Sequence, residues 1–165
     1  MSNVTVLARQ LQDKQVEVRT QAAEQLSRCG EEARSVAVDL VQACGDEEPV
    51  REWAVAALEE LGPPLEDSVE KLRGLVVHTN ELVAYWAVTL LGRLGSNAGA
   101  VAPALVSVLE TSPDLAVRQR AAWALGQVGN RCPATVAALE RAKDDADPRL
   151  ARLAAQAIQQ LQQTG

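Results

Sequence analysis

The stretch Pro49-Val-Arg-Glu-Trp-Ala-Val-Ala-Ala-Leu-Glu-Glu-Leu-Gly62 decides the fold, because four other segments repeat its pattern. Val18, Val50, Val83, Val117 and Leu150 fall in one column, spaced 32, 33, 34 and 33 residues apart. Four residues on, the rows read Ala22, Ala54, Ala87, Ala121 and Ala154. Eight on, they read Leu26, Leu58, Leu91, Leu125 and Ile158, and eleven on Cys29, Leu61, Leu94, Val128 and Leu161. Those offsets share one face of a 3.6-residue helix. Gly30, Gly62, Gly95 and Gly129 come next, where a left-handed glycine commonly ends a helix, and Gln162 takes that place in the last row. A period this short predicts stacked helical units, each burying its apolar face against its neighbours.

Past each glycine runs a second apolar pattern: Ala33, Val36 and Leu40; Leu65, Ser68 and Leu72; Ala98, Val101 and Leu105; Cys132, Thr135 and Leu139. Each repeat is therefore two antiparallel helices, A and B, joined by a short turn. The reading is one domain over residues 1–165, with repeats beginning near 13, 46, 79, 113 and 146. Residues 3–12 read as an N-terminal cap helix. Residues 149–163, Gln-rich at their end, read as a C-terminal one. Pro103 falls inside the third B helix in this register, so that helix is expected to begin near Ala102. The fold class is all-α, a right-handed α-solenoid of five repeats and about ten antiparallel helices.

Composition narrows the function. The 165 residues are 47% hydrophobic, lack Phe and carry a net charge of −6, from 22 acids and 16 bases. A generalised nucleic-acid binder is disfavoured, because phosphate neutralisation needs a basic face. No stretch has the apolar length of a membrane span, and the N-terminal segment lacks the pattern of a signal peptide. A cytoplasmic setting and a monomer are expected. Cys29, Cys44 and Cys132 have no metal-like spacing, and Cys29 stands in a core column as a small apolar residue. One histidine, His78, cannot build a zinc site with scattered cysteines and is expected to be a solvated helix-end residue. No metal, no cofactor and no catalytic residue is assigned.

The units Pro49–Gly62 and Pro113-Asp-Leu-Ala-Val-Arg-Gln-Arg-Ala-Ala-Trp-Ala-Leu-Gly-Gln-Val-Gly129 resemble HEAT repeats, more narrowly the short HEAT-like type of phycobilisome bilin lyases. The resemblance implies mostly protein-binding scaffolds and assembly factors, with a few lyases and DNA-repair enzymes among them. It also implies a ladder of paired acids and arginines along the stack. The matching positions are Asp13 and Arg19, Asp46 and Arg51, Asp114 and Arg118, and Asp147. Ala84 and Ala151 interrupt the arginine column. A row of anion-reading arginines is the alternative, disfavoured because acids stand close by.

In solenoids of this kind the B helices line the concave side, whose outward positions form the binding surface. Those positions include Val38, Gln42, Glu70, Lys71, Gly74, Ala100, Pro103, Ala104, Ser107, Ala134, Ala137, Ala138 and Arg141. The first half is polar and the second small and apolar, which would let a helix or extended peptide approach closely. Helix-forming alanines without an interface are the plainer alternative. Trp53 and Trp86 share a column at the flank of the core face, where packing in the seam between repeats is expected. Trp123 falls nearly opposite the buried face, an exposed indole and a possible convex hot spot. The leading function is a non-enzymatic protein-interaction scaffold; the alternative is a bilin lyase or cofactor-loading factor. A DNA-repair enzyme would need a basic groove, which Lys71 and Arg141 do not supply against Asp39, Asp67 and Glu70.

Overall fold

The computed structural model describes residues 3–163, so residues 1–2 and 164–165 of the expected domain lie outside the described residues. Among the described residues there are ten α-helices and no strand. They are α1 (Asn3–Gln10), α2 (Val16–Ser27), α3 (Ala37–Ala43), α4 (Glu48–Glu60), α5 (Val69–Leu75), α6 (Glu81–Arg93), α7 (Ala102–Thr111), α8 (Leu115–Val128), α9 (Pro133–Lys143) and α10 (Pro148–Gln163). The helices fall into two compact units, divided between Lys71 and Leu72.

In the first unit α1 packs on α2, α2 on α4, and α3 on α4. Leu26, Leu40, Val50, Ala54 and Leu58 are fully enclosed there. In the second unit α6, α8 and α10 form one row of neighbours, with α7 and α9 packed beside α8 and α10. Leu91, Leu105, Ala121, Leu125, Leu139 and Ala154 fill this core without measurable exposure. The buried residues are those of the repeated columns, so the 3.6-residue periodicity is realised as packing. Val18, Cys29, Leu94 and Ile158 of the A-helix columns are half-buried.

Local signals set the helix ends. Asn80 Oδ1 accepts the N–H groups of Leu82 and Val83 at the start of α6, at 3.0 and 3.1 Å. Asp114 Oδ1 accepts the N–H of Val117 at the start of α8, at 2.9 Å. Each satisfies donors that have no partner inside the helix. Pro103 sits in the first turn of α7, which begins at Ala102 as its missing N–H requires. Gly129 closes α8 in the left-handed region at φ +67°, and Gly30 and Gly95 are left-handed too.

Three expectations are corrected. Gly62 is not left-handed: α4 ends at Glu60 and its C-cap, Leu61, is already extended (φ −73°, ψ 131°), so the chain leaves the helix before the glycine. Three of the four B helices do not start as α-helix after the glycines: 3₁₀ segments at Gly30–Val36, Glu66–Ser68, Gly95–Asn97 and Gly99–Val101 come first, whereas α9 begins directly at Pro133. Cys29 is half-buried and not enclosed, with its thiol directed to the Gln25 carbonyl at 3.2 Å.

Candidate functional site

The arginine column is built as structure. Arg19 Nε and Nη2 donate to the two oxygens of Asp46 at 2.7 and 2.8 Å, and Nη1 donates to the Asp13 carbonyl at 2.9 Å. The pair bridges α2 to the turn before α4. Burial pushes the Asp46 carboxyl up, but the Arg19 fork, the Glu47 N–H and the Arg19 charge hold it below the ordinary carboxylate value. The second unit departs from the expected pairing. Arg118 reaches Asp145 at 3.3 Å, while Asp147 accepts from Gln119 Nε2 at 2.9 Å and from the Leu150 N–H at 2.7 Å. Asp147 stands at the start of α10, so the helix takes its carboxylate and the arginine turns to the neighbouring acid. Asp114 is likewise committed to capping α8. Among the described residues, Arg19 and Arg118 of the row are thus committed to acids.

The B-helix positions of the second unit lie on α7 and α9, which pack against each other. Pro103, Ser107, Ala134 and Ala137 are exposed and Ala104 is half-buried; Ala100, just before α7, is exposed as well. Ala138 is enclosed at 1% exposure, so it belongs to the core and not to the face. Position 138 precedes Leu139 in the buried stripe, and the stripe of α9 is wide enough to include both. Arg141 on α9 is paired with Glu110 on α7, closing one end of the α7–α9 surface with neutralised charge. Beyond these two helices, Gly74 is exposed.

In the first unit, Gln42, Glu70 and Lys71 are exposed and Val38 is half-buried. Asp39 is half-buried on α3, where burial raises its carboxyl; its own backbone N–H and the Lys71 charge partly offset the rise. Arg51 is half-buried on α4.

The tryptophans differ from one another. Trp53 is exposed at 36% and Trp86 enclosed at 6%, so the burial expected of both is found in Trp86 alone. Trp86 stands edge-on to Tyr85, with ring centroids 5.8 Å apart at 84°, and Arg93 lies 5.6 Å from its centroid. Trp123 is half-buried and not exposed. Its ring edge lies over Gly92 of α6, the side-chain-free position of that helix, and this pulls the indole down onto the neighbouring helix.

A second grouping was not read from the sequence. Arg120 lies 4.7 Å from the Tyr85 ring centroid and 4.9 Å from that of Trp123, and it donates to the Tyr85 hydroxyl. Arg120 occupies the column of Trp53, Trp86 and Leu153, a column at the seam between successive A helices. That register was the available signal, but the tyrosine that completes the cluster stands one position earlier on α6.

The helix pairs of the two units define an all-helical repeat protein of the armadillo and HEAT solenoid kind. A family model described as HEAT repeats matches residues 71–159, and the chain belongs to that family. No curated protein matches the sequence. Among solved structures, the complex of CpcE and CpcF of phycocyanin lyase from Nostoc sp. PCC7120 is 22% identical with a TM-score of 0.69, over 99% of this chain and 66% of that one. A designed armadillo repeat protein in complex with the peptide (KR)4 is 20% identical with a TM-score of 0.62, over 96% of this chain and 81% of that one. An engineered protein is 21% identical with a TM-score of 0.62, over 98% of this chain and 80% of that one. These likenesses are likenesses of fold. Among the described residues no helix is long and apolar enough to cross a membrane.

Proposed function

We propose that the chain is a non-enzymatic protein-interaction scaffold, acting as a monomer and binding a helix or extended peptide on its B-helix face. One observation carries the reading. Pro103, Ser107, Ala134 and Ala137 are small, exposed and carried on two helices that pack side by side. Side chains this short let a partner backbone come close, and apolar surface of this kind is where helices and strands of partners seat. The designed armadillo protein with its bound peptide supports the mode in principle, since it shares the fold.

The test is capture from a lysate of the source organism by the parent chain and by an Ala104→Glu/Ala137→Glu variant, read by mass spectrometry. Circular dichroism first establishes that the variant is folded. A protein retained by the parent and lost by the folded variant supports the face; capture undiminished by the two glutamates removes it. The alternative reading, a bilin lyase or cofactor-loading factor, is favoured only by the shared fold with the CpcE–CpcF complex. Adding a bilin and finding its visible spectrum unchanged disposes of that alternative.

A further inference from the structure

The A-helix side of the second unit holds a pocket of 230 Å³ lined by Tyr85, Gln119, Arg120, Trp123, Arg149 and Leu153, together with Ala116. Its cations come from two helices, Arg120 on α8 and Arg149 in the first turn of α10. Among the described residues neither side chain is paired with a carboxylate. Arg19, Arg28, Arg34, Arg118 and Arg141, by contrast, each have an acid on them.

Arg120 is also held in place. The Tyr85 and Trp123 rings flank its guanidinium and the Tyr85 hydroxyl accepts one N–H, leaving the rest of its donor fork available. A guanidinium fixed in advance loses little entropy when a planar, bidentate carboxylate docks on it. The carboxylate of Asp147 is already taken by the amide of Gln119, a pocket-lining residue, and by the Leu150 N–H.

A second depression of 210 Å³ adjoins the first and shares Tyr85 and Ala116 with it. Its wall is Leu82, with Glu81 and Asp114 at the rim. Two small adjoining depressions, one cationic and aromatic and one largely apolar, match alternate side chains of an extended segment better than a single small ion. We infer that the Tyr85–Arg120–Trp123–Arg149 pocket is a binding site for the carboxylate side chain of an acidic peptide segment, whose adjacent apolar side chain seats against Leu82. This site is separate from the α7–α9 face, and its test does not depend on that reading.

The experiment is titration of the ¹⁵N-labelled chain with a capped tetrapeptide of alternating glutamate and leucine, following the three tryptophan indole N–H signals. The Trp123 signal is assigned by its loss in Trp123→Phe. The expected result is a saturable shift of that signal, with affinity lowered about tenfold or more in Arg120→Gln and several-fold in Arg149→Gln, as for loss of a charged hydrogen bond. Arg149 is exposed, so its variant tests the site even if Arg120→Gln perturbs folding. The glutamine–leucine version of the peptide should leave the signal in place. No shift with the acidic peptide, an equal shift with the glutamine version, or unchanged affinity in Arg149→Gln overturns the proposal. An equal response to inorganic phosphate or glutarate alone overturns the peptide assignment in favour of a free-anion site.

Discussion

A Cβ placed on Gly92 would lie 2.5 Å from Cζ3 of Trp123, and 2.9 Å from the Cβ of Ala124. One repeat later the relationship recurs. A Cβ on Gly126 would lie 3.0 Å from the Cα of Ala157, and 2.3 Å from Oε1 of Gln160. Gly92 and Gly126 are each nine residues past their column start, and Ala124 and Ala157 each seven past theirs. The approach of α6 to α8, and of α8 to α10, is thus set by a bare backbone on one helix facing an alanine on the next.

Gly92→Ala should therefore destabilise the second unit. Alanine in a helix interior gains about 1 kcal/mol over glycine, but the added methyl collides with a ring and an alanine Cβ that have no flexible end to yield. Overpacking of this kind costs about 1–3 kcal/mol. The urea midpoint should fall, and it should fall more for Gly92→Val. A rise on either substitution would show that the two helices can separate without loss.

The Arg19–Asp46 pair makes the first unit sensitive to acid. The Asp46 carboxyl is held below its ordinary value, so its stabilising effect is complete above the unfolded-state value and is lost as pH falls through the folded one. Asp46→Asn should lower the urea midpoint at pH 7. The gap to the parent should narrow steadily as pH is taken from 5 to 3, because the parent loses its charge there and the variant has none to lose. A gap that stays constant across this range would show that the hydrogen-bond geometry, and not the ionised pair, supplies the stability.

The repeat columns told where the core lies because burial follows the 3.6-residue period, and Leu26, Leu58, Leu91 and Leu125 are enclosed as that period requires. Helix α7 beginning at Ala102 was legible for the same kind of local reason, since proline permits a first turn and little else. Contacts between repeats were not legible. Arg118 turns to Asp145 because a helix cap claims Asp147, a competition decided by three-dimensional placement. Trp123 reads as exposed from its position on the wheel of α8, yet it lies against α6 because Gly92 leaves room for it. The cationic pocket was hidden because Tyr85, Arg120 and Arg149 belong to three helices in different columns.

Two helix starts should depend on single side chains. Asn80 holds two N–H groups of α6, and Asp114 one of α8. Replacing either by alanine should cost about 1 kcal/mol, while Asn80→Asp and Asp114→Asn should keep most of the stability, since each retains an accepting oxygen. Thermal unfolding of the four variants orders them. Alanine variants as stable as the conservative ones would mean that water takes over these donors at no cost.

The thiols should separate by reactivity. Burial pushes the Cys44 thiol up to about 12, with only a partial offset from the Arg51 charge, and the side chain is enclosed against the Leu40 carbonyl. Cys132 is half-buried at the start of α9, where hydrogen bonds from the Thr135 side chain and backbone, and from the Ala134 N–H, lower its thiol. The thiolate is the reacting species, so at pH 7.5 an aromatic disulfide reagent should modify Cys132 faster than Cys44 by at least about a hundredfold. Cys132→Ser should remove the Cys132 share of the labelling, leaving that of half-buried Cys29, and Thr135→Val should slow the Cys132 share while leaving Cys44 protected. Cys44 should become reactive only with urea-induced unfolding of the first unit. Early modification of Cys44 in the folded chain would show that α3 opens on the timescale of labelling.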